Sequence, residues 1–508
     1  MSAVSDPAHH PRAPRPGDTF PLTFDALDAR GDATARLHLL VGPQATPRVF
    51  RVAVPGALPG ERAEVRITRR HRDLLSGCVV RLEAPSAERV PPRCAHAHPW
   101  RLPGETCGGC SLQHIDAADQ RRHKGNRLRA LFEARGLDPA VVQAVVPPPD
   151  DWRYRNKMEF SFAAGEDGRP RVGLHPPGYR HDVLALRECL LVSTELSTWL
   201  GRVNDWLTGT GLEPFGPRTP DGWLRHVMTR EGRRTDERMM ELVTTAAPRA
   251  KLLGGEHAAE EVAETVVRRL ADLGREAGAP FTSIWWTRHD AQRGRPTRLI
   301  ERHLEGTTTL REILEVPGTA ALDFAIHPRA FFQPNPAAAE LIYALVLKES
   351  GLLEGDGARV ALDLYCGTGT IALVLANHAE RVVGMELQPD AVRNAEAGAT
   401  RNGLANVSFL EGDVGTLLEQ GAVASLQEEV DVIVVDPPRA GLQGEALAHV
   451  AAFAARRLVY VSCNPEALAR DAALLRDRGW SLVRATPVDQ FPQTAHVETV
   501  ARFERQGA

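Results

Sequence analysis

The chain lacks any apolar run long enough to span a membrane, and no apolar export segment follows Met1. Its expected location is the cytoplasm, with no membrane partner. It also lacks an excess of positive charge: 61 Lys and Arg against 65 Asp and Glu leave a formal net charge of −4. No global basic field advertises a nucleic acid, so such a partner would have to be held by local patches. There is no internal repeat and no long low-complexity segment. Cysteine is scarce, at seven in 508 residues. In a reducing compartment those seven read as metal ligands, catalytic thiols or buried residues rather than disulfides. What is left is an ordinary globular composition on a chain too long for one core, so two or more domains are expected.

Residues 1–19 are polar, rich in Pro, His and Arg, and read as a flexible tail. From residue 20 to residue 92, short runs such as Ala35–Leu40, Val49–Val54 and Arg62–Ile67 alternate at a strand period. That array suits a small closed barrel of the OB type, a common platform for RNA. The run Arg69-Arg70-His71-Arg72 is expected in the next loop, either facing phosphates or simply solvated. Residues 93–330 read as a mixed α/β region. It opens with a cysteine-bearing stretch and a basic helix over Gln120–Phe132, with a further helix over Glu256–Arg275.

Beyond Arg359 the pattern becomes regular. Strands at 360–365, 381–386, 407–410, 430–435 and 458–461 alternate with helices, which argues a doubly wound, largely parallel α/β sheet. The first strand ends in Asp363-Leu364-Tyr365-Cys366-Gly367-Thr368-Gly369-Thr370. Glycines there let the backbone approach a ligand, and the next helix points its amino end at it. The spacing is not that of a dinucleotide fingerprint, and no P-loop lysine is present. Glu386 closes the second strand, where a carboxylate can accept from both ribose hydroxyls, and Asp413 closes the third. Together they favour a nucleoside cofactor without a pyrophosphate, and S-adenosylmethionine fits best.

The fourth strand ends in Asp436-Pro437-Pro438-Arg439, a rigid turn that fixes a carboxylate beside the cofactor's reacting end. Methylases of exocyclic amines carry an aromatic residue where Arg439 stands, which argues against that chemistry. The fifth strand delivers Cys463 in Ser462-Cys463-Asn464-Pro465. A uracil C5 is too poor a nucleophile to attack a sulfonium methyl group, but a thiolate added to C6 makes it one. Proton removal from C5 then needs a base, and Glu498, in His496-Val497-Glu498, is the placed candidate.

Phe331-Phe332-Gln333-Pro334-Asn335, the Asp363–Thr370 loop, Asp436–Arg439, Ser462–Pro465 and His496–Glu498 occur in that order. The series resembles the signature of the S-adenosylmethionine-dependent RNA uracil-5-methyltransferases, whose catalytic domain is Rossmann-like. Residues 21–90 resemble the TRAM domain that many members carry, and 331–508 resemble the catalytic domain. The resemblance implies Cys463 as nucleophile and Glu498 as base. It implies Gln333, Tyr365, Thr370, Glu386 and Asp413 around the cofactor, with Asp436 beside cofactor or target uracil. Phe331 would stack near a flipped base, and Arg155, Asn156 and Lys157 would contact RNA. A monomer acting on 23S ribosomal RNA is expected, with transfer RNA, or a non-catalytic RNA-binding role, as the alternatives.

Cys107-Gly108-Gly109-Cys110, with Cys94 upstream and Cys189 downstream, suggests a four-thiolate metal site that fits zinc or an iron–sulfur cluster on chemistry alone. The resemblance favours a 4Fe–4S cluster of structural role. Twelve residues separate Cys94 from Cys107, where the family usually has far fewer, and they include His96 and His98. A histidine ligand or zinc therefore stays open.

Overall fold

Period-two alternation builds the N-terminal sheet. In a computed structural model, which describes residues 8–97, 104–292, 294–353, 359–426, 429–443 and 445–506, strands Thr19–Thr23, Ala33–Val41, Thr46–Val54, Arg62–His71 and Leu74–Ala84 share one sheet. Phe20, Leu37, Phe50, Val52, Val65 and Ile67 turn inward onto a single core, while Arg36, Arg51 and Arg66 face solvent. The hydrogen-bonded path runs from Ala8–His10 at one edge to Thr19–Thr23 at the other. Past Phe24 and Asp25, Ala26–Leu27 pairs with Ala33–Val41, so the path returns on itself as the small closed barrel expected. Ala8–His10 itself pairs in parallel with Ala33–Val41, inside the stretch that reads as a tail. Arg69, Arg70 and His71 belong to the strand Arg62–His71 rather than to a loop, and Arg72, with φ of 56°, makes the turn.

Contacts divide the chain into two compact units. One comprises Met1–His123, Leu174–Leu184 and Pro492–His496; the other comprises Lys124–Gly173, Ala185–Phe491 and Val497–Ala508. Among the described residues no helix is long and apolar enough to cross a membrane.

The second unit holds two large sheets. The first includes Lys157–Ala164, Leu224–Glu231, Arg238–Thr245, Ser283–Asp290 and Arg298–Gly306, with helices Thr194–Leu207 and Ala259–Glu276 nearby in sequence. The latter helix starts later than the sequence suggested. Gly255–Ala258 instead pairs with Arg249–Leu252 in a hairpin whose turn residues, Leu253 and Gly254, both take positive φ.

The other sheet organises the site. Its strands are β1 (Val360–Leu364), β2 (Arg381–Glu386), β3 (Val407–Glu411), β4 (Val430–Val435), β5 (Arg457–Ser462), β6 (Trp480–Val488) and β7 (Glu498–Arg505). They lie in the order β3-β2-β1-β4-β5-β7-β6. The first five are parallel, and β7 runs antiparallel to both β5 and β6. The order reverses beside β1, which opens a crevice at the carboxyl ends of the strands. β1 and β4 are buried on both faces, as their largely apolar runs, each interrupted by a single aspartate, lead one to expect.

Helix α1 (Pro336–Ser350) starts where Asn335 accepts a hydrogen bond from the Ala338 amide and Pro336 presets φ. It ends at Gly351, in the left-handed region. Helices α2 (Thr370–Ala376) and α3 (Pro389–Arg401) follow β1 and β2.

Candidate active site

The cofactor end of the sheet is made by backbone geometry. Tyr365, Gly367 and Gly369 all have positive φ, at 65°, 55° and 77°. For Tyr365 that is a strained conformation, of the kind that collects at binding sites. At Gly369 a Cβ would come within 2.7 Å of the Ala395 Cβ, so only glycine fits. Glu386 is fixed by two amides: Gly367 N donates to one carboxylate oxygen at 3.0 Å and Gln388 N to the other at 2.8 Å. A cavity of about 680 Å³ opens beside them, lined by Tyr365, Glu386, Asp413, Asp436, Pro438 and Gly441 among others. That is within the usual size of small-molecule sites.

Of the residues expected around a cofactor, Tyr365, Glu386, Asp413 and Asp436 line this cavity. Asp413 also caps the following helix, accepting from the Thr416 amide at 3.0 Å and its hydroxyl at 3.1 Å. Thr370 and Gln333 are not among the lining residues. Thr370 is buried and hydrogen-bonded to the Tyr343 hydroxyl. Gln333 accepts from Gln490 Nε2 at 3.2 Å. Cys366 is buried behind the loop.

The catalytic end is set by strand register. Ser462, the last residue of β5, pairs with Thr499 of β7. Cys463 and Glu498 are the next residue along each antiparallel strand, so they leave the sheet at the same end. Asn464 fixes the turn: its Oδ1 accepts from Glu466 N at 3.1 Å, and its Nδ2 donates to the Arg439 carbonyl at 2.7 Å. Asp436 is tied to the end of β1 by its amide, which donates to Leu364 O at 3.2 Å.

Charge is concentrated here. The Cys463 thiol is pushed up to about 11, first by burial and then by Glu498 and Asp436, with Arg439 acting against them. Burial and then Asp436 push the Glu498 carboxyl well above its ordinary range, again opposed by Arg439. Burial alone raises Asp436 to about 7. Burial and neighbouring carboxylates thus disfavour the charged forms of the thiol and of Glu498, and Arg439 is the group that favours them. Arg439 and Tyr343 were not assigned to the site from sequence. Tyr343 looks like any core position of an apolar helix, and Arg439 served only to exclude other chemistry.

The residues expected to contact RNA are distributed unevenly. Phe331 is 65% exposed. Arg155 is half-buried over the Phe491 ring, 5.8 Å from its centroid. Lys157 is half-buried, and burial followed by Arg230 lowers its ammonium pKa. Asn156 does not present its side chain to solvent at all, being 2% exposed. Its backbone is clamped between Pro334 O and Glu231 N, each at 2.8 Å.

In the first unit Cys94 and His96 meet, Sγ to Nδ1 at 3.8 Å, and Cys107 N donates to His96 O at 2.8 Å. Gly109 N donates to the Cys107 sulfur at 3.4 Å. Cys189 belongs to the other unit, and His98 lies outside the described residues.

Comparison with known proteins agrees with this geometry. Residues 298–506 match the model of the tRNA (uracil-5-)-methyltransferase family. An uncharacterised RNA methyltransferase of Protochlamydia amoebophila is 33% identical over 455 residues, covering 88% of this chain and 98% of the relative. Another, from Caldanaerobacter subterraneus subsp. tengcongensis, is 32% identical over 495 residues, covering 96% and 98%. The crystal structure of Pyrococcus abyssi tRNA (uracil-54, C5)-methyltransferase with S-adenosyl-L-homocysteine has the same fold, with a TM-score of 0.67 at 24% identity, covering 95% of this chain and 99% of that one. With a methyltransferase sheet, a cofactor cavity and relatives spanning nearly its whole length, the chain belongs to the S-adenosylmethionine-dependent RNA uracil-5-methyltransferase family.

Proposed function

We propose that the protein methylates C5 of one uridine in structured 23S ribosomal RNA, with transfer RNA as the alternative substrate. The observation that carries the reading is the shared exit of Cys463 and Glu498 from paired strands β5 and β7, next to a cavity lined by Asp436. The cavity fits S-adenosylmethionine in having a doubly anchored carboxylate, Glu386, and a glycine-bounded approach. Tyr365, Glu386 and Asp413 would hold it. When bound, it supplies an electrophilic methyl group on sulfur.

Cys463, once deprotonated, adds to C6 of the uracil, and the C5–C6 π electrons shift into an enolate that makes C5 nucleophilic. After C5 is methylated, Glu498 accepts the C5 proton, the S–C6 bond breaks and the double bond re-forms. Glu498 must be ionised for that step. Its raised affinity for protons makes it a strong acceptor once Arg439 and the bound substrates have charged it. Phe331, exposed on its segment, would stack on the flipped base, while Arg155 and Lys157 would face the RNA backbone.

Cys94, Cys107 and Cys110 would supply thiolates to a structural 4Fe–4S cluster. The Cys94–His96 contact favours zinc as the second reading, and iron and acid-labile sulfide content decides between them. The main test is 5-methyluridine mapping in total RNA from cells with and without the protein. One site should disappear from 23S RNA, and an unchanged map would sink the proposal.

A further inference from the structure

Glu498 is the first residue of β7, and sheet pairing holds it from one side only. Val488 of β6 lies opposite it, while the ladder to β5 begins at Thr499. The chain just ahead of Glu498 must therefore be held by something other than the sheet. Residues 489–497 join β6 to β7, and Pro492–His496 among them pack with the first unit. In the middle of that stretch Gln493 takes a φ of 68°. Of the non-glycine residues with positive φ among the described residues, it is the only buried one, at 3% exposure. A side chain strains the backbone there, so the conformation persists only where neighbours over-determine it.

The neighbour that does so is Gln120, buried on the helix Ala117–Glu133. Its Oε1 accepts from the Gln493 amide at 3.0 Å, and its Nε2 donates to Gln493 Oε1 at 3.0 Å. The same Nε2 faces two backbone carbonyls, Leu112 O at 3.0 Å and Ile115 O at 2.9 Å. A backbone N–H at one end and backbone carbonyls at the other fix which way round the Gln120 amide lies. Leu112 N closes the ring by donating to Gln493 O at 3.0 Å. Beside it, Ala495 packs with Leu58, Leu112 and Ile115. Amide, carbonyl and side-chain oxygen of Gln493 are thus all held.

We propose that Gln120 is a positioning residue for the base: holding Gln493 at positive φ, it aims the chain that enters β7, so that Glu498 meets the C5 proton. Released from that hold, residue 493 relaxes to negative φ and turns the backbone ahead of Glu498. Cys463, on β5, is left in place. Addition to C6 and methyl transfer then proceed, but the C5 proton stays and the S–C6 bond persists. The inference rests on the reading of Cys463 as nucleophile and Glu498 as base, and adds what sets the base in place.

Gln120→Leu keeps the bulk and removes the clamp. Gln493→Val leaves Gln120 alone and raises the cost of positive φ, because a β-branched side chain crowds its own backbone there. Gln493→Gly takes that φ without strain. Full-length wild type and variants are incubated with S-adenosylmethionine and total RNA from cells lacking the protein. 5-Methyluridine is counted by mass spectrometry, protein–RNA adduct in a denaturing gel, and S-adenosylhomocysteine affinity by calorimetry. Gln120→Leu should slow turnover by about tenfold or more and accumulate adduct, with affinity within about threefold of wild type. Gln493→Val should do the same to a smaller extent. Adding Gln493→Gly to Gln120→Leu should return turnover to within about threefold of wild type and clear the adduct. Wild-type turnover in Gln120→Leu, a loss without adduct, or an adduct that the double variant keeps overturns the inference alone. Should Gln120→Leu not fold, Gln493→Val decides by the same two readouts. Absence of adduct from Glu498→Gln, on RNA that wild type methylates, overturns the reading of the base and the inference with it.

Discussion

The two ends of the catalytic sheet use the same side-chain chemistry for opposite purposes. At β2, Glu386 is anchored through both oxygens by the Gly367 and Gln388 amides, beside an open cavity. Its remaining lone pairs are free for a ligand's hydroxyls. At β4 and β7, Asp436 and Glu498 are raised by burial, and Asp436 further raises Glu498. A carboxylate held among N–H donors near solvent keeps its charge at little cost, whereas one buried beside another acid sits where charge is costly. Placement in the sheet, rather than residue type, sets the two kinds of carboxylate apart.

That contrast breaks most sharply at the catalytic end. Cys463→Ala should lower methylation by about 10³-fold or more, as losing a nucleophile does, while S-adenosylhomocysteine affinity by calorimetry stays within about threefold. Residual activity near wild type would remove Cys463 from the mechanism. Glu498→Gln should cost roughly 10²–10³-fold in turnover. It should also leave a protein–RNA adduct stable in a denaturing gel, because the C5 proton cannot leave and the S–C6 bond cannot break. If no adduct forms with competent RNA, Glu498 acts before covalent addition.

At the cofactor end, Glu386→Gln should weaken S-adenosylhomocysteine binding by about tenfold, the worth of a charge-assisted hydrogen bond, and should leave no adduct. Equal loss of adduct and cofactor affinity in both variants would erase the division. The smallest effect is on stability. The folded Asp436 carboxyl keeps its proton up to about pH 7, whereas an unfolded one releases it near 4. Between those values the folded state binds more protons, so its stability falls as pH rises and the loss is complete above pH 7. Asp436→Asn should flatten the decline in Tm between pH 5 and 8 and stabilise the ligand-free protein at pH 8 by roughly 1–3 kcal/mol. A parallel decline in wild type and variant would assign the pH dependence elsewhere.

Much of this site was legible because its residues sit at strand ends marked by local chemistry. An apolar run stopped by Asn464-Pro465 announces Cys463, and glycines after Asp363 announce the cofactor loop. Residues whose role depends on a distant partner were not legible. Gln120 is one polar residue among many in a basic helix until its amide is seen on Gln493, 373 positions away. Asn156 reads as a surface contact beside two cations, yet Pro334 and Glu231 draw it inside. The run Arg69–His71 reads as a loop because its charge hides the strand period that pairing with Leu74–Ser76 enforces.

The sequence by itself determined the alternation of strands and helices, the chemistry available at each strand end and the exclusion of amine methylation by Arg439. Hydrophobic period and turn residues are local properties, and they need no partner to act. Only the tertiary structure decided which acids are buried against each other, which amide holds which, and that Cys463 and Glu498 share one edge. Those facts follow from the pairing of β5 with β7, a contact between segments thirty-five residues apart that no local pattern specifies.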